Sequence, residues 1–110
     1  MIAVVDALQL KIDEVDEAID AYKEFVIPAR KSEPGYVAPG GYILVDRETG
    51  KAIAVTFWDR TIDEHKALRS SGKDEHYKEH LKKFQDHLIE STPSAKRSVF
   101  LGYYEVCTQG

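Results

Sequence analysis

Residues 41–60, GYILVDRETGKAIAVTFWDR, restrict the fold more than any other part of this 110-residue chain. Two apolar runs flank the charged segment DRETGK, where Gly50 is free to take the positive φ that a tight reversal demands. The pattern reads as a β-hairpin with strands over residues 42–45 and 52–58. Along the second run Lys51, Ile53, Val55 and Phe57 point to one side, and Ala52, Ala54, Thr56 and Trp58 to the other. The second of these faces is small until its end. Trp58, the sole tryptophan, is therefore expected beside a shallow surface that admits a partner or a ligand.

The rest of the chain supplies elements around that hairpin. Leu8, Leu10 and Ile12 alternate with Ala7, Gln9 and Lys11, which predicts a first strand over residues 4–12. Asp13 stands where an N-cap belongs, with Glu14, Asp16 and Glu17 complementing the helix dipole in the first turn. Val15, Ile19, Tyr22 and Val26 then follow at helical spacing, and Pro28 is expected to kink or shorten that helix before Glu33-Pro34-Gly35 ends it. Thr61 and Glu64 spell a capping box that starts a short helix ending near residues 70–72. A longer helix is predicted over residues 73–90, with Tyr77, Leu81, Phe84 and Leu88 as its apolar stripe. The segment STPSAKR breaks it, and a last alternating strand covers residues 98–107. The resulting order, βαββαβ, is that of an α+β, ferredoxin-like domain with a four-stranded antiparallel sheet. Helices on one face leave Phe, Val and Tyr side chains on the other. The simplest cover is a second copy, so the chain is expected to form a homodimer in which two sheets pack together as an α/β barrel.

Composition removes several classes of function. With 43% hydrophobic and 31% charged residues the chain has the make-up of one globular domain spanning residues 1–110. A net charge of −4 argues against nucleic acid, whose phosphates need a basic face. No apolar run reaches the roughly 20 residues that span a bilayer. The opening MIAVVDALQLK has no basic n-region, so it does not read as a signal peptide. One cysteine, Cys107, forms no internal disulfide and fits a reducing, cytoplasmic setting.

The kinked first helix, the Pro-Gly break, the VDRETGK hairpin and a strand ending in Trp58-Asp59 together resemble antibiotic-biosynthesis-monooxygenase-like domains of the dimeric α/β-barrel superfamily. The resemblance covers nearly the whole chain and is sharpest over residues 46–59. It implies a dimeric barrel with a mostly apolar pocket between sheet and helices. Its oxygenases need no metal, flavin or other cofactor, because an electron-rich aromatic substrate itself supplies the electrons to oxygen. The resemblance also reaches heme-degrading members, but their pattern departs here. The chain has no asparagine, and Ala67 falls near the place of their helix tryptophan, so that chemistry is not expected. A quinone-forming oxygenase acting on an aromatic or polycyclic small molecule fits, as does a non-catalytic barrel that binds a small ligand.

The candidate site residues divide the same way. Trp58 either seals the sheet against the second helix or walls an aromatic pocket, and the two roles are compatible. His76, His80 and His87 line one flank of the long helix. His76 and His80, at i and i+4, with His65 elsewhere as a third ligand, make only a weak metal motif, so no metal is expected. His80 lies nearest the apolar stripe and is the candidate general base, its neutral imidazole suited to taking a phenolic proton. Tyr22 and Tyr77 are candidate hydrogen-bond donors to substrate, and Arg69 a candidate partner for substrate charge. No Ser-His-Asp spacing, phosphate-binding glycine loop or pair of carboxylates stands out.

Overall fold

The expected hairpin forms, and pairing extends it. In the computed structural model, which describes residues 1–72, 74–89 and 98–108, β2 covers Tyr36–Val45 and β3 covers Lys51–Trp58. β2 starts six residues earlier than its hydrophobic pattern because Tyr36 pairs with Trp58 across an irregularity that reaches Gly41. Gly41 sits at φ 146°, and a Cβ there would run into the Val55 carbonyl oxygen, so the strands approach too closely for any other residue.

β1 (Ile2–Gln9) pairs with β3 on one side and with β4 (Ser98–Glu105) on the other, giving an antiparallel sheet ordered β2-β3-β1-β4. β1 therefore ends earlier than its alternation predicts. Gln9 is the last residue with a partner on β3, and beyond Leu10 the chain turns, leaving Ile12 59% exposed. Cross-strand partners share a face. Ile2, Val4, Asp6 and Leu8 thus lie with Ala52, Ala54, Thr56 and Trp58 on the helix side. Tyr42, Leu44 and Ile53 lie on the open side, where each remains exposed.

The first helical region is compound. A 3₁₀ turn (Ile12–Glu14) precedes α1 (Val15–Ala21), a π turn (Tyr22–Val26) follows, and α2 (Ile27–Lys31) completes it. Asp13 is inside the 3₁₀ turn and caps nothing. Pro28 does not stop the helix. The π turn, closed by the Ile27 N–H on the Tyr22 carbonyl, comes directly before it and accommodates the missing donor. Helix continues past the proline and carries Ala29 and Arg30 to the buried side.

Thr61 caps α3 (Ile62–Ser70) as expected. Glu64 N–H donates to Thr61 Oγ1 at 3.1 Å, and Thr61 N–H donates to Glu64 Oε1 at 3.1 Å. α4 (Glu75–Gln85) is shorter than the predicted span, because Leu88 leaves the helix to bridge Leu10 beside β1. The predicted limits at Lys73 and Glu90, and the STPSAKR break, lie outside the described residues. β4 ends at Glu105 rather than at Cys107.

Under the helices the apolar side chains form two clusters. The larger joins Leu10, Val15, Ala18, Tyr22, Val26, Phe84 and Leu88, with Tyr77 and Leu81 packed against it. The smaller joins Ile2, Val4 and Trp58 to Tyr36, Ile62 and Tyr103. Arg30, Thr56, His65 and Asp74 are also buried.

Candidate functional site

Buried and half-buried residues form one connected array of alternating rings and guanidinium groups. Arg30 lies 4.9 Å from the Tyr22 ring centroid and 5.9 Å from that of Tyr77. Arg69 lies 4.8 Å from Tyr77 and 5.5 Å from Trp58, and Arg60 covers the Trp58 ring at 4.2 Å. The ladder thus runs Tyr22, Arg30, Tyr77, Arg69, Trp58, Arg60, and it draws on five separate helices, strands and turns. Each cation–ring contact contributes about 0.5–2 kcal/mol, more where water is excluded.

Two of the three arginines are neutralised. Glu33 accepts from Arg69 Nη1 at 3.0 and 3.2 Å and from Arg60 Nη2 at 3.5 Å. Asp74, fully buried, accepts from Arg69 at 3.3 Å and has the Lys78 ammonium 3.3 Å from its other oxygen. Arg30 differs. It is buried against two tyrosine rings, and its Nε has no hydrogen-bond partner.

Arg30 and Tyr22 line a cleft of about 100 Å³ between the first helical region and β2, closed by Ile19, Ile27, Ile43 and the Pro39-Gly40-Gly41 backbone. The Tyr22 hydroxyl is also buried without a partner. Burial pushes its phenol up to about 12, against the pull of the Arg30 guanidinium, so it stays protonated as a hydrogen-bond donor. Asp6, on the helix side of β1, acts electrostatically on the same phenol. Tyr22 and Tyr77 are thus brought together around an arginine that no sequence signal distinguished from a helix-end cation.

The remaining candidates lie elsewhere. Trp58 is 1% exposed and donates through Nε1 to Thr56 Oγ1 at 2.8 Å, sealed beneath arginines rather than open to the cleft. Arg69 is held by the two carboxylates just described. His80 is on the outer flank of α4, its Nδ1 2.8 Å from the His76 carbonyl oxygen and its ring 4.4 Å from that of His76. His87 contacts Glu14 at 3.3 Å. Sequence reasoning gave His65 a minor place, yet it is the buried histidine. Its ring lies 5.8 Å from Trp58 and 5.4 Å from Tyr103, and its Nδ1 accepts from Arg60 Nε at 3.0 Å. Burial, with Arg69 and Arg60 nearby, lowers it to about 4, so it is a neutral acceptor at ordinary pH. Among the described residues no three His, Cys, Asp or Glu side chains converge on a metal position.

No family model matches the sequence, and no curated protein matches it. Solved structures do. A crystal structure of an antibiotic biosynthesis monooxygenase aligns at a TM-score of 0.62 and 17% identity, over 98% of this chain and 100% of that one. The chain has an antibiotic-biosynthesis-monooxygenase-like fold. A cofactor-independent oxygenase, SnoaB from Streptomyces nogalater, aligns at 0.59 and 14% identity, over 98% and 94% of the two chains. A conserved protein from Methanosarcina mazei Go1 aligns at 0.61 and 20% identity, over 94% and 89%. At such identities the antibiotic-biosynthesis-monooxygenase-like likeness speaks for fold, while chemistry depends on the site.

Proposed function

We propose that this chain is a cofactor-independent monooxygenase of an electron-rich aromatic or polycyclic small molecule, working as a homodimer. The observation that carries the reading is the cleft beneath the helices, lined by Tyr22 and Arg30, whose buried hydroxyl and Nε have no hydrogen-bond partner. Such groups stabilise negative charge developing on a bound phenol or enol, which is the charge an electron-donating substrate must carry before it meets oxygen. In the simplest balance a ring CH2 becomes a carbonyl. One atom of O2 enters the product, the other leaves as water, and the substrate supplies all four electrons. The base role expected of His80 is not carried into this proposal, because its ring is bonded along its own helix and does not line the cleft. Trp58 and Arg69 act here through packing: they hold Tyr77, and through it Arg30, in place.

The homodimer is supported by the open side of the sheet. Tyr42, Leu44, Ile53 and Tyr104 are 41–56% exposed there, and a second sheet is the cover that fits an extended apolar face of this shape.

A non-catalytic ligand-binding module is the second reading. It is favoured by a specific feature, that no carboxylate or imidazole lines the cleft among the described residues. Oxygen consumption with a panel of hydroquinones and anthrones separates the two. The monooxygenase reading predicts uptake that falls about tenfold or more in Tyr22→Phe, the loss of one hydrogen bond to developing charge. No uptake with any member of the panel leaves the binding module.

A further inference from the structure

We infer that His76 and His80, one turn apart on the outer flank of α4, form a chelating site for a divalent transition metal of tetragonal preference, copper(II) before nickel(II). The site is separate from the Tyr22 cleft, whose lining includes neither histidine, and it does not depend on the monooxygenase reading.

The helix gives each ring a defined place. Residues at i and i+4 stand over one another on one face, so His76 and His80 meet once α4 forms. His76 is exposed and His80 half-buried, beside the stripe of Tyr77, Leu81 and Phe84 that packs into the larger cluster. The His80 Nδ1 lies 2.8 Å from the His76 carbonyl oxygen. A carbonyl only accepts, so this bond puts the His80 proton on Nδ1 and leaves Nε2 with the lone pair that a metal needs. Tying one ring nitrogen to the backbone is also what fixes the tautomer and orientation of metal-ligating histidines. Nε2, across the ring from Nδ1, is directed away from that carbonyl.

Ring spacing then selects the metal. An imidazole bound through nitrogen at about 2.0 Å has its ring centre about 3.1 Å from the metal. Two at a right angle therefore stand about 4.5 Å apart, and two in a tetrahedron about 5.1 Å. The His76 and His80 centroids are 4.4 Å apart, with their planes tilted by 55°, which matches the right-angled pair. That arrangement suits copper(II) and nickel(II), whereas zinc favours the tetrahedron. Among the described residues no third His, Cys, Asp or Glu joins the two rings, so water completes the coordination. The local charge suits a dication. Glu75 and Glu79 are exposed on the same helix, and the Lys78 ammonium is drawn to the buried Asp74 at 3.3 Å.

Calorimetric titration of the untagged full chain with copper(II), nickel(II) and zinc(II) chlorides in a non-chelating buffer tests this. Copper(II) should bind once per chain at micromolar affinity, with nickel(II) next and zinc(II) weakest. His76→Gln and His80→Gln should each weaken copper(II) about tenfold or more, because one imidazole alone loses the chelate. His87→Gln, whose histidine instead contacts Glu14, should leave the affinity unchanged. The electron paramagnetic resonance spectrum of the copper(II) complex should show two nitrogen ligands in wild type and one in either variant. Circular dichroism checks that each variant folds. Should one fail, the other variant and the wild-type nitrogen count decide. Copper(II) binding unchanged by either replacement, no binding below millimolar concentration, or a single nitrogen ligand in wild type overturns the site. Zinc(II) binding tighter than nickel(II) overturns the tetragonal assignment.

Discussion

Tyr22 carries both a packing role and an unmet polar one. Its ring makes an edge contact with Phe84 at 5.3 Å inside the larger cluster, while its hydroxyl is buried with no partner. An unsatisfied buried hydroxyl costs about 1–3 kcal/mol. Tyr22→Phe should therefore be stabilising, by roughly 1 kcal/mol in urea unfolding, even as it weakens whatever the cleft binds. A loss of stability instead would mean that the hydroxyl has a partner in solution. His65 shows the opposite arrangement, a polar group satisfied only in one protonation state. Its folded value of about 4 lies below the ordinary 6.5. Between those values the unfolded chain binds the extra proton, so stability is complete above pH ~6.5 and declines as pH falls toward 4. Allowing for solvent screening, the decline attributable to this one group is about 2 kcal/mol. Replacing it by His65→Gln, which keeps an acceptor for Arg60 but does not titrate, should flatten the stability curve over that window relative to wild type. Parallel curves would assign the pH dependence to other groups.

Elements in this chain are set by local chemistry at their ends and by neighbours in their middles. α3 begins where Thr61 and Glu64 satisfy each other's backbone N–H groups. Thr61→Ala is expected to cost about 1 kcal/mol, seen as a lower unfolding midpoint with an unchanged denaturant slope. The compound first helix is the contrasting case. Pro28 was legible as an interruption, but a π turn ahead of it preserved the helix, which resumes with Val26 and Ala29 both buried. That continuation delivers Arg30 to the cleft. Strand limits followed the same division. The alternation from Ala7 to Ile12 persists past Gln9, yet the strand stops where β3 has no more residues to pair.

At the scale of the whole molecule the open sheet face is the unfinished part. With Tyr42, Leu44 and Tyr104 each more than half exposed, sedimentation at micromolar concentration should give a mass near twice 12.4 kDa. Leu44→Lys should shift it toward the single-chain value, since an unpaired ammonium in an apolar interface is costly. A wild-type monomer would remove the barrel assembly. The sequence alone determined the kinds of element, their order, the two faces of β3 and the α3 cap, because each is written in residues two to four positions apart. It also marked Tyr22 and Tyr77 as helix residues that point inward. Only the tertiary structure decided that they meet around Arg30, that Trp58 is closed over by two arginines, and that His65 rather than His80 is buried. Those facts depend on contacts between residues tens of positions apart. A charged side chain looks the same in the sequence whether folding leaves it in water or carries it beneath a helix, so its partners, and with them its chemistry, exist only once the chain has packed.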